Sequence, residues 1–197
     1  LTFLVLDPNS KDNFFLQIVD YSGYLTPGLL VAFLAGMFWS RATATGAIAC
    51  IVAGISIKLA LFPLHVWLPN AYTYAPAVVT AFLAATATKV AYYVLVRFVF
   101  TIFGASLAFG DLHLDKILMP LAILAMFGAS LVAIYQEDVK RMLAWSSVAQ
   151  IGYLVLAASF GTRAGLTAGI VHLFNHALTK GGLFLVVGAI GFRLHSV

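Results

Sequence analysis

Lys58, Lys89 and Lys180 lie inside long apolar runs: GAIACIVAGISIKLALFPLHVWL (46–68), AVVTAFLAATATKVAYYVLVRFVFTIF (77–103) and LTAGIVHLFNHALTKGGLFLVVGAI (166–190). No Asp or Glu shares those runs. A lysine at the centre of a bilayer costs roughly +2.5 to +3.5 kcal/mol on insertion scales. Chains keep such residues where they face a protein interior or a wet path and handle ions or protons. In the third run His172, His176 and Lys180 stand at i, i+4 and i+8. On a helix they line one face over about 12 Å. Histidine titrates near neutral pH, and a lysine held in a low-dielectric interior can do the same. Bridging water could pass protons along such a row. Asn175 lies beside it and can hydrogen-bond between helices.

Other chemistry competes for these residues. The histidines could serve only as interhelical hydrogen-bonding groups. Their i, i+4 spacing also suits a metal or a haem pair, but no carboxylate or thiol lies nearby to complete a metal site. The zinc-protease likeness fails because Leu173 stands where that motif carries glutamate. Lys180 could snorkel, yet it sits about ten residues from Gly191, and snorkelling works best near helix ends. Lys89 lies near the middle of its run and could be a packed structural lysine. Lys58 and Lys89 come from neighbouring runs and could form one connected path. Two close cations repel, which readies one to release a proton when a third charge arrives.

The elements that hold these residues must be helices in a membrane. The chain of 197 residues is 62% hydrophobic and 9% charged, with mean hydropathy +1.02. Soluble domains carry about 25% charged residues. The bilayer is then the solvent, and only helices or a closed barrel satisfy the backbone there. Runs of about 17–27 residues without strand-type alternation fit helices. We expect an all-α polytopic bundle of about six spans: 24–39, 46–68, 77–103, 116–135, 142–160 and 165–191. Short connectors leave no room for a soluble domain. Pro63 falls five residues after Lys58 and should break the second span. Irregular backbone at membrane depth is tolerated in protein or beside a wet cavity, where transporters place ion sites. His65, beside the break, is a candidate gate.

The remaining signals narrow the function. Cys50 is the single cysteine and lies in an apolar run, which excludes a disulfide framework. The net charge of +4 is scattered and is no nucleic-acid signal. Trp67, Tyr72 and Tyr74 cluster at a span end, as interfacial aromatics do. Glu137, Asp138, Lys140 and Arg141 read as a solvated ionic turn. Lysines and arginines divide equally between the two sides, so orientation stays open. No P-loop, GxGxxG or GxSxG is present, and no metal or cofactor is expected.

From about Ile57 onward the chain resembles the antiporter-like subunits shared by multisubunit cation/proton antiporters and the membrane arm of respiratory complex I. The resemblance is carried by KLALFPLHVWLPNAY (58–72), APAVVTAFLAATATKVAYYVLVRF (75–98), EDVKRMLAWSSVAQIGY (137–153) and HLFNHALTKGGLFLVVGAI (172–190). These segments look closest to the D subunit of Mrp-type sodium/proton antiporters. The resemblance implies that Lys58 is the lysine of the broken helix, paired with a glutamate of an earlier helix. It implies that Lys89 is the central lysine of the next helix and that His172, His176 and Lys180 form the relay helix. The partner glutamate and a later discontinuous helix have no counterpart here, so we expect a fragment of a larger fold carrying part of a proton path. Residues 15–54 resemble a sodium/solute symporter segment, and the two resemblances meet near Gly54–Lys58. The expected division is 1–54, with one or so spans, and 55–197.

The expected function is proton translocation or cation/proton antiport within a multisubunit antiporter or respiratory complex. The chain would perform no bond chemistry itself, though its complex could be NADH:quinone oxidoreductase-like. Expected partners are the lipid bilayer, other membrane subunits, protons and sodium, in a bacterial inner membrane. A symporter fragment and a non-transporting structural subunit are the alternatives.

Overall fold

The computed structural model describes residues 43–195. Two compact units divide the chain, 1–55 and 56–197. The expected span 24–39 lies outside the described residues. Among those described, all regular structure is helical: α1 (Ala44–Leu59), α2 (Trp67–Tyr74), α3 (Ala77–Arg97), α4 (Leu114–Ile134), α5 (Val139–Ser159) and α6 (Arg163–His195). Four stretches are long and apolar enough to cross a membrane: Ala77–Ile102, Leu114–Ile134, Val139–Ser159 and Arg163–Leu194. The chain is an integral, multi-span membrane protein built from a helix bundle.

The expected span 46–68 is two helices separated by 60–66. Pro63 is inside that break, but α1 stops earlier, at Leu59. A proline ring clashes with the carbonyl four residues before it, here that of Leu59, and restricts the residue before it. The chain turns by taking Ala60 into the left-handed region, φ +60°. Ala60 N–H then donates to Ile57 O and Leu61 N–H to Ser56 O, both at 3.0 Å. This is a Schellman ending with alanine in the place usually held by glycine. Trp67 Nε1 donates to Ile57 O at 2.9 Å and ties the start of α2 to the end of α1.

α3 runs into a π-helical turn, Phe98–Ile102, and ends where Gly104 takes φ +83°. The stretch expected to be a plain connector, 104–115, holds a second π-helical turn, Ser106–Asp111. α4 therefore begins at Leu114, slightly before the expected start. Asp138 caps α5: its side chain accepts from Arg141 N–H at 3.0 Å. That is the usual remedy for an orphan first-turn donor. The turn read as simply solvated is in this respect a helix start.

Packing places α5 at the centre of the second unit. It lies against α4, α6 and α2, and α6 also packs along α3. α5 is the most enclosed span and α6 the least. Small residues set the close approaches. A Cβ on Gly152 of α5 would come within 2.8 Å of Ala122 O and Met126 Cγ of α4. On α6, Gly181 and Gly188 face Ala85 and Ala77 of α3. Small residues let membrane helices meet at such short range.

Candidate functional site

α3 and α6 run antiparallel, and their contact brings Lys89 toward the row on α6. Lys89 is almost fully buried, 5% exposed. Helical side chains lean toward the helix N-terminus, and Lys89 Nζ folds back to donate to Ala84 O of its own helix. It also donates to Thr88 Oγ1 at 3.4 Å. Thr88 in turn meets the side chain of Tyr72, whose hydroxyl donates to Leu83 O at 3.3 Å.

On α6 the row is oriented as a helical face requires. His176 and Lys180 are buried and His172 is half-buried. The rings of His172 and His176 stack at 6.2 Å, tilted by 17°. His172 also faces Tyr153 of α5 at 5.8 Å. Lys180 Nζ crosses to α5, where it donates to Leu143 O at 2.8 Å and to Ser146 Oγ. Ser147 Oγ donates to the same Leu143 carbonyl at 3.0 Å. Asn175, read as lying beside the row, is exposed.

The charges share one space. Lys180 acts electrostatically on Lys89, Lys89 acts on His172, and both lysines act on His176. Three ring nitrogens here have no hydrogen-bond partner among the described residues: His172 Nε2 and both nitrogens of His176. The buried Tyr92 hydroxyl is in the same condition. Buried polar groups are nearly always paired, with protein or ordered water. A cluster of such atoms between two lysines is a place where water would be held.

The break carries a second polar group. His65 is buried, stacked on Phe62 at 5.1 Å and edge-on to Trp145 of α5 at 5.2 Å. The Pro63 carbonyl lies near the ring, yet among the described residues His65 Nδ1 makes no well-formed hydrogen bond, nor does Trp145 Nε1. Lys58 is exposed, unlike the other two lysines. Of the six candidates, the structure thus gathers Lys89, His172, His176 and Lys180. His65 stands at the break against α5, and Lys58 lies apart on the surface. Thr88, Ser146, Tyr92 and the Leu143 carbonyl were missed in the sequence. The serine pair 146–147 in an apolar run was the available signal for one of them.

Residues 16–197 match the NADH:quinone oxidoreductase/Mrp antiporter transmembrane family. The chain belongs to this family. The match runs across Gly54–Lys58. NADH-quinone oxidoreductase subunit N of Desulforudis audaxviator (strain MP104C) is 41% identical over 184 residues, covering 91% of this chain and 36% of the relative. The solved Mrp complex from Dietzia sp. DQ12-45-1b contains a chain 30% identical, with TM-score 0.70, over 86% of this chain and 33% of that one. The membrane-bound sulfane sulfur reductase, an archaeal respiratory membrane complex, has a chain 31% identical at TM-score 0.69, over 90% of this chain and 39% of that one. The present chain spans about a third of the length of the curated relatives it matches.

Proposed function

We propose that this chain translocates protons, alone or in exchange for a cation such as sodium, as part of a multisubunit antiporter or respiratory membrane complex. The path runs from Lys89 of α3 through His176 and His172, with Lys180 at its α5 side. One observation carries this reading: buried lysines from two helices flank a stacked histidine pair, and three of its four ring nitrogens have no partner among the described residues. Water bridging those nitrogens would join the groups into a wire. His65, at the break, gates access, and Lys58 exchanges charge with a neighbouring part of the parent protein. The chain's membership of the antiporter family supports the same assignment.

The test is Lys89→Ala in the full-length parent protein. Proton movement is followed by a pH-sensitive dye in vesicles, and assembly by native gel. Transport should fall to background while the complex still forms. Normal transport by an assembled mutant would overturn the proposal.

A further inference from the structure

Away from the lysine centre, a cavity of about 300 Å³ opens where α4 begins and α5 ends. Asp115, Ser159 and Gly161 line it, with Phe109 and Met119 as its apolar wall. Asp115 Oδ1 is sealed from solvent and has no hydrogen-bond partner among the described residues. A buried carboxylate oxygen left in that condition is costly unless a counter-charge meets it. Ser159 is 2% exposed. Its hydroxyl donates to Leu156 O, at 2.7 Å, so toward a ligand it can act only as an acceptor.

Asp115 stands in the first turn of α4, and the facing carboxyl end of α5 adds charge of the same sign as the carboxylate. Ser159 is the last residue of α5. A helix carboxyl end carries about half a negative charge, and its final carbonyls lack intrahelical partners. Gly161 turns the chain there at φ +63° and occupies only one of them, Ala158 O, at 3.1 Å. Carboxylate, hydroxyl and carbonyl oxygens together are the donor set of a hard cation. Divalent sites usually gather several carboxylates. Here, among the described residues, no three Asp, Glu, His or Cys side chains come together. One carboxylate with neutral oxygens matches a single positive charge.

We propose that the Asp115–Ser159 cavity binds a small monovalent cation of sodium size at the membrane edge. Its position fits loading from water. The cavity lies at span ends, and Asp111, His113, Lys116 and Arg163, close in sequence to its lining, are exposed there. This binding does not depend on the path through Lys89.

The experiment uses the purified full-length parent complex. Dicyclohexylcarbodiimide labels carboxyl groups in apolar surroundings, and peptide mass spectrometry reads the modification at Asp115. Sodium chloride should slow labelling several-fold relative to choline chloride at equal concentration. Ser159→Ala should weaken this protection while leaving the rate in choline unchanged. Equal rates in sodium and choline, or full protection in Ser159→Ala, would overturn the site. Radiosodium binding to Asp115→Asn gives an independent reading: one bound ion per subunit should be lost, and unchanged binding counts against the proposal. Both readouts are binding measurements, so they stand whether or not the Lys89 variant transports.

Discussion

Lys89 and Lys180 are enclosed by the bundle, whereas Lys58, in an equally apolar stretch, is exposed. The difference lies in the backbone that carries each residue. Lys89 and Lys180 sit well inside unbroken helices that pack on both α3–α6 and α5–α6 contacts. Each ammonium finds a backbone carbonyl and a hydroxyl. Lys58 is one residue from the end of α1, and the chain turns away at Ala60. A lysine in apolar sequence therefore becomes an interior charge only where the bundle encloses it and supplies oxygen atoms to receive it.

Three substitutions bear on this contrast. Lys180→Ala should have the largest effect. It removes the ammonium that donates to Leu143 O and Ser146 Oγ, and transport should fall by at least about tenfold, or ~1.4 kcal/mol. Transport within a factor of two of wild type would break the comparison. Ser146→Ala takes away one of two acceptors for the Lys180 ammonium. Hydrogen bonds to charged groups are worth about 1.5–3 kcal/mol. With Leu143 O retained, a thermal-unfolding loss of about 1.5 kcal/mol is expected, and no change would mean that the hydroxyl is dispensable. Lys58→Ala should shift stability by less than about 0.5 kcal/mol, as exposed substitutions do. A larger shift in the assembled complex would put Lys58 among the interior charges.

Helix positions were largely legible, because apolar runs near twenty residues in length have few other fates. The spans beginning at Ala77, Leu114, Val139 and Arg163 fall within a few residues of the runs read from sequence. The facing of His172, His176 and Lys180 followed from helical spacing alone. The groups opposite them did not. That Leu143 O would receive Lys180 depends on how α5 and α6 cross, which no local pattern encodes. The end of α1 was also hidden. Ala60 stands in for a glycine at the turn, so the usual stop signal is missing, and Pro63 acts upstream through the carbonyl of Leu59. The π-helical turns after Arg97 left no mark in the apolar pattern either. Asp115 and Ser159 stand about 44 residues apart in sequence, and only the α4–α5 contact makes them neighbours.

The glycine contacts between α3 and α6 have a mechanical meaning. Gly181 and Gly188 sit against Ala85 and Ala77 like teeth of a rack. A side chain at Gly188 would overlap Ala77, and one at Gly181 would crowd Ala85 Cβ at 3.3 Å. Such close seating leaves the helix backbones little room between them, so the least costly movements at this centre are rotations of the lysine and histidine side chains and reorientation of water.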